Sequence, residues 1–279
     1  MKLRPLWPLR DRRALVSGAA SGLGLGIARA LYARGGKLVL VDRDRERLAN
    51  VATEFPGAET HAMDVTDPAA VERLAEDVEG GGALHLLFNN AGIALPAPFE
   101  TMPPEDFDRV MAVNFHAVVA MTRAFLPLLR SAARGQRHAR IVNTSSLFGL
   151  IAPPDNTAYS AAKFAVAGFG QALGHELEGT GVGVTTVHPG GLATRIFDNR
   201  ETLSRYEEAD RERRLEQSRA LLVMPPDRAG EIVVSGVERR RTRILVGSDA
   251  KQGDWLRRVA PVGYWRIAQA FNPSLRDQA

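Results

Sequence analysis

Two periodicities alternate along the first 190 residues. Short apolar runs rich in Val, Leu and Ile occur at 13–18 (RALVSG), 37–42 (KLVLVD), 58–64 (AETHAMD), 84–90 (LHLLFNN), 140–146 (RIVNTSS) and 182–189 (VGVTTVHP). Between them, apolar positions spaced three and four apart predict helices over 22–34, 44–54, 68–79, 104–131 and 158–179. Strand followed by helix, repeated, requires right-handed crossovers and a mostly parallel sheet with helices on both faces. Stretches such as LVLV and LHLLF are apolar at successive positions, as strands buried on both faces must be. The expected fold class is therefore α/β, a doubly wound parallel sheet.

The pattern changes after residue 190: GGLATRIFDN reads as loop, 200–222 as a charged helix, 226–240 as another helix and TRILVG (242–247) as a last strand. Residues 195–224 are expected to close over a bound substrate as a lid, with the charged run EEADRERR on a solvated outer face. This gives one domain over 1–248 and a tail over 249–279 that carries Trp255, Tyr264, Trp265 and Phe271 among arginines.

A length of 279 residues, 45% hydrophobic and 24% charged, suits a single large globular domain. The absence of cysteine excludes disulfides, thiolate nucleophiles and Cys-ligated zinc, and the histidines at 61, 85, 116, 138, 175 and 188 lack metal-ligand spacing, so no metal site is expected. A net charge of +4 with bases interleaved among acids, as in RYEEADRERRLEQSR, is a solvated surface and not a nucleic-acid stripe. The opening MKLRPLWPLRDRRALV has no apolar export core, and no uncharged apolar run reaches the ~18 residues that span a bilayer, which makes the cytoplasm the expected location. The tail segment WLRRVAPVGYWRIAQAF reads either as an interfacial helix on a membrane or as packing over a pocket mouth or a neighbouring subunit. Pro261 and Gly263 interrupt it and favour packing.

Candidate chemistry begins at LVSGAASGLGLG, which sets Gly18, Gly22, Gly24 and Gly26 between the first strand and first helix. A tight turn into a helix N-terminus offers free N–H groups to a pyrophosphate. The next strand ends in Asp42, placed to accept from a ribose 2'-hydroxyl and to repel a 2'-phosphate, which favours NAD over NADP. Arg43 beside it could instead cradle that phosphate, and a helix N-cap is the plain structural role for Asp42 or Asp44. Further along, only four of the 36 Lys and Arg residues are lysines, and one of them, Lys163, follows Tyr159 by four positions on a helix. The two side chains share a face, and an ammonium there is expected to lower the phenol's pKa toward the neutral range, where proton exchange is efficient. Ser146 in NTSSLFG, NNAG at 89–92, Asn114 in VMAVNFHAVV and HPGGLAT at 188–194 all fall at or near strand C-terminal ends, where a parallel sheet holds its ligand.

With these motifs in this order, residues 12–247 resemble the classical short-chain dehydrogenase/reductase family. Ser17 stands where a threonine is usual and Leu23 where an isoleucine is common. The resemblance implies a Rossmann-like sheet and a dinucleotide held by Gly18, Ser21, Gly22, Leu23 and Gly24. It further implies Asp64 and Val65 at the adenine and Asn90, Ala91 and Gly92 at the adenosine ribose and sheet edge. Pro189, Gly190, Leu192 and Thr194 would surround the nicotinamide amide and phosphates. Tyr159 would be the acid/base, Ser146 the donor to the substrate oxygen, Lys163 the partner of phenol and nicotinamide ribose, and Asn114 the anchor of a water-linked proton path. The implied activity is hydride transfer between NAD, or NADP, and a secondary alcohol or ketone, with apolar flanks suggested by LFGLIAPP and IALPAPF. A carbonyl reductase using NADPH is the alternative, and a non-catalytic redox sensor would have no use for a proton carrier. Family likeness also implies a homodimer or homotetramer built on the helices near 104–131 and 158–179.

Overall fold

The computed structural model describes residues 6–135, 138–194, 196 and 222–271. Its strands are β1 (Arg13–Ser17), β2 (Lys37–Asp42), β3 (Glu59–Ala62), β4 (Leu86–Asn89), β5 (Ala139–Thr144), β6 (Val182–Pro189) and β7 (Arg243–Val246). They form one sheet in the order β3-β2-β1-β4-β5-β6-β7, with every neighbouring pair parallel. The order reverses between β1 and β4, so the connections leaving these two strands diverge and open a crevice at their C-terminal ends.

The helices are α1 (Gly22–Tyr32), α2 (Arg45–Ala52), α3 (Pro68–Gly80), α4 (Pro104–Met111), α5 (Ala117–Ala132), α6 (Thr157–Glu176), α7 (Pro226–Glu238), α8 (Ser248–Val259) and α9 (Tyr264–Phe271). Alternate residues of β1 serve opposite faces, as a period of two demands. Ala14 and Val16 join a core with Ile27 of α1 and Val233 of α7, while Leu15 joins Phe125 and Leu129 of α5 and Leu173 of α6. On the first face α1 and α7 touch backbone to backbone. A Cβ on Gly230 would lie 2.2 Å from the Gly26 carbonyl oxygen, and one on Gly26 would lie 2.2 Å from the Pro226 oxygen.

The helix expected over 104–131 runs without a break over 104–132, but it is not α-helical throughout: a widened π turn at Ala112–His116 joins α4 to α5. Its cause is Asn114, fully buried, whose Nδ2 donates to the Val110 carbonyl at 3.0 Å and to the Ile93 carbonyl at 2.8 Å. A side chain that takes over a carbonyl one turn back displaces the backbone ladder there. The fifth strand also stops short of Ser146, which lies beyond β5 at the head of a 3-10 turn, Leu147–Gly149.

All of the expected charged helix over 200–222 except Leu222, and all of the expected lid over 195–224 except Ile196 and residues 222–224, lie outside the described residues. Residues 248–271 form α8 and α9, broken at 260–263 around Pro261 and Gly263.

Candidate active site

The chain leaves β1 through Gly18 at φ +67 and enters α1 at Gly22 at φ +53, a left-handed backbone that suits glycine. A Cβ on Gly18 would sit 2.9 Å from the Ala91 Cα, so the β1 and β4 turns lie against each other. Ser17 binds them together: its Oγ accepts from Asn90 N at 3.0 Å and Ala91 N at 3.1 Å and donates to the Phe88 carbonyl at 3.2 Å. The hydroxyl that serine shares with threonine thus has a defined use. Ser21 precedes α1 without a side-chain cap bond, and no acid occupies the first turn, which leaves N–H groups and the positive dipole end for an anion.

Asp42 ends β2 with its carboxylate fixed by two backbone amides. Oδ2 accepts from Ala20 N and Oδ1 from Asp44 N, each at 3.0 Å. The N-cap of α2 is Asp44, which accepts from Arg47 N at 3.0 Å, so Asp42 is free of that duty. Asp64 turns its Oδ1 to the amide and hydroxyl of Thr66 at 2.8 and 2.7 Å, which secures the turn after β3.

Four polar side chains gather at the other end of the crevice. Tyr159, Lys163 and Asn114 are 7%, 3% and 0% exposed. The Lys163 Nζ donates to the Thr144 carbonyl at 3.0 Å and lies 5.5 Å from the Tyr159 ring centroid, which leaves two ammonium donors for groups in the cleft. Ser146 Oγ accepts from Phe148 N at 3.1 Å and hydrogen-bonds the Tyr159 phenol, against whose ring Phe148 packs edge-on at 6.1 Å. A Cβ on Gly92 would be 2.7 Å from Asn114 Oδ1 and 3.4 Å from Lys163 Nζ, so glycine lets these two groups approach. Asn114 Oδ1 is buried without a protein partner, a position suited to an ordered water.

Burial moves both members of the Tyr–Lys pair. It pushes the Tyr159 phenol up to about 12, with the Ser146 hydrogen bond opposing, and pulls Lys163 down to about 7. The expected lowering of the phenol by its lysine neighbour is therefore not what the free protein shows, because desolvation of the enclosed ring outweighs the opposing hydrogen bond from Ser146.

These groups share one cleft of about 1250 Å³, large enough for a dinucleotide and a small substrate together. The first turn contributes Gly18, Ser21, Gly22 and Leu23, and the adenosine side contributes Asp42, Arg43, Asp64 and Val65. Asn90, Ala91 and Gly92 line its middle, followed by Ser146, Tyr159 and Lys163, and then by Pro189, Gly190, Leu192 and Thr194. Two expected residues stand behind the wall. Gly24 shapes the turn, since its Cβ would lie 2.0 Å from the Gly18 oxygen, and Asn114 is reached across Gly92.

Two further residues hold this machinery and escaped the sequence reading. His188 Nδ1 lies 3.0 Å from the Ser146 carbonyl, and burial lowers its pKa to about 4, so the ring is neutral and donates through Nδ1. Asp249, in the first turn of α8, accepts from Gly191 N at 2.6 Å, and a Cβ on Gly190 would collide with its carboxylate at 2.0 Å. The repeated glycine in HPGG was the available signal, but the partner lies 58 positions away.

Comparison with known proteins gives concordant results. Residues 12–204 match the short chain dehydrogenase family. A Mycobacterium tuberculosis protein bearing the oxidoreductase name SadH is 37% identical over 264 residues, 92% of this chain and 94% of that one. Among solved structures, a short-chain dehydrogenase/reductase of Burkholderia phymatum in complex with NAD aligns with a TM-score of 0.80 at 28% identity, covering 91% of this chain and 95% of that one. A short chain dehydrogenase of Burkholderia cenocepacia in complex with NADP aligns with a TM-score of 0.76 at 25% identity, covering 95% and 98%.

Proposed function

The chain belongs to the short-chain dehydrogenase/reductase family of NAD(P)-binding oxidoreductases, and from that premise we propose that it transfers hydride between NAD and an uncharged secondary alcohol or its ketone, with Tyr159 as acid/base. The observation that carries this reading is the convergence of Ser146, Tyr159 and Lys163 on one cleft that also holds an uncapped helix N-terminus. A protein that only senses dinucleotide has no use for a buried phenol and ammonium.

The residues fit the cofactor. The N-terminus of α1 and its glycine turn would hold the pyrophosphate, Asp42 the adenosine ribose, Asp64 and Val65 the adenine, and Pro189 to Thr194 the nicotinamide side. When bound, NAD supplies the hydride acceptor and a positive charge on the nicotinamide ring. The Tyr159 phenol, neutral in the free protein, would be shifted toward its ionised form by that ring charge and by the Lys163 ammonium. In alcohol oxidation Tyr159 would then take the hydroxyl proton as hydride departs from the carbinol carbon, while the Ser146 hydroxyl donates to the same oxygen. Donors fixed in place before reaction stabilise the charge that develops there without reorganising. Lys163 holds positive charge beside the phenolate, and Asn114 Oδ1 anchors a water through which the proton leaves. Reduction reverses these steps.

The fixed carboxylate of Asp42 supports NAD. Arg43 and Arg47, which line the same end of the cleft, support the second reading, an NADPH-dependent carbonyl reductase. Assembly as a homodimer or homotetramer suits residues 104–132, whose most apolar stretch is only 39% buried within this chain. Absorbance of reduced nicotinamide, followed with a panel of secondary alcohols and with NAD and NADP in turn, tests the proposal. NAD-linked oxidation of at least one uncharged secondary alcohol is expected. Cofactor binding without oxidation of any alcohol or reduction of any matching ketone would contradict it.

A further inference from the structure

The substrate end of the cleft is built partly from the C-terminal helices of the same chain. Trp265 and Ala268 of α9 line it together with Ile151, Pro153 and Pro154 from the segment that joins Ser146 to Tyr159. Five contacts secure this arrangement. Tyr264 OH accepts from Ala152 N at 3.0 Å, and Arg257 of α8 donates to the Leu150 carbonyl at 2.7 Å while its guanidinium lies 4.9 Å from the Phe164 ring centroid. A Cβ on Gly253 would come within 2.5 Å of the Leu147 Cδ1, so α8 rests directly on the turn that follows Ser146. Asp254 pairs with Arg243 of β7 and ties α8 to the sheet.

The charge distribution narrows the substrate class. Among the described residues that line the cleft, the cations are Arg43 and Arg47 near Asp42 and Lys163 beneath Tyr159. The end formed by Trp265, Ile151 and the two prolines has no described cation to receive a carboxylate or phosphate; it presents rings and aliphatic groups, and the neighbouring Asp155 adds an acid that would repel an anionic substrate.

We propose that Trp265 is a specificity-determining residue, the wall against which the longer apolar arm of an uncharged secondary alcohol packs. The inference rests on the dehydrogenase reading above and extends it to a substrate class with one short and one extended apolar arm. An arm long enough to reach the indole gains buried apolar area that a short one does not. The exposed tryptophan of the same tail, Trp255 at 64%, is an internal control.

The test measures kcat/KM with NAD over the 2-alkanols from 2-butanol to 2-decanol for the parent and for Trp265→Ala, Trp265→Phe and Trp255→Ala. In the parent, kcat/KM is expected to climb with chain length. Trp265→Ala flattens the climb, losing about tenfold or more at the longest alcohol while 2-butanol stays within about twofold. Trp265→Phe keeps most of the climb, Trp255→Ala superimposes on the parent, and NAD affinity is unchanged throughout. Superimposable profiles for parent and Trp265→Ala, with both enzymes turning over, overturn this inference and leave the dehydrogenase reading intact. A parent that binds NAD yet oxidises no alcohol and reduces no ketone overturns that reading and this inference with it.

Discussion

Lys163 sits 3% exposed with one carbonyl partner and no carboxylate, an arrangement that opposes its charge until something anionic enters the cleft. Its pKa falls from 10.5 to about 7 in the folded protein. A folded-state pKa below the unfolded value means that stability from this group is present at high pH and is lost as pH falls through that window. The cofactor-free protein should therefore melt at progressively lower temperature as pH drops from about 10 toward 7. Lys163→Met should remove this slope and be more stable than the parent near pH 7 by about 1–3 kcal/mol, seen as a higher melting temperature, while losing turnover. A parallel pH dependence in parent and variant, measured by thermal unfolding, would show that the ammonium is not the strained group. Tyr159 contributes to stability with the opposite pH sign. Its raised folded-state pKa, about 12, costs stability only as pH rises past the ordinary value of 10.

At the scale of elements, the crossing of α1 and α7 fixes where the anion-binding helix N-terminus lies. Because Gly26 and Gly230 meet through their backbones, a methyl group there cannot be absorbed by a rotamer change. Gly230→Ala should destabilise the protein by about 1–3 kcal/mol or more and weaken dinucleotide binding, because α1 must shift to admit the methyl. Calorimetry of the apo variant and a titration with NAD check both effects, and an unchanged melting temperature with unchanged affinity contradicts the packing account. The strands, their parallel order and the glycine turn were legible in the sequence because hydrophobic period and backbone chirality are local properties. The π turn was not. Helical spacing runs evenly through 104–131, and only a tertiary contact, from Asn114 to the Ile93 carbonyl, reveals that a side chain interrupts the ladder. Ser146 was read at a strand end, whereas it heads a 3-10 turn, a difference of two residues that orients its hydroxyl toward Tyr159.

At the scale of the whole molecule, the chain's last described segment returns to its catalytic centre. Asp249 holds the Gly191 amide, α8 lies on the turn after Ser146, and α9 supplies Trp265 to the substrate end. Packing of the tail over a pocket mouth was one reading the sequence offered, but the particular contacts were not legible from spacing. Residues that meet across about a hundred positions of chain leave no periodic trace, and a mixed run such as WLRRVAPVGYWRIAQAF fits several surfaces equally well. Tyr159 and Lys163 were legible because their spacing is local and the surrounding motifs gave it context. Their energetics were not, since desolvation depends on what the whole fold places around them. The account depends on the Tyr159 hydroxyl as the proton carrier beside the nicotinamide position. The most direct test is Tyr159→Phe, with NAD affinity measured by titration and turnover measured on the best secondary alcohol. The account predicts NAD affinity within about threefold of the parent and a loss of kcat of at least about a hundredfold. Turnover near the parent rate, with NAD bound equally well, would contradict it.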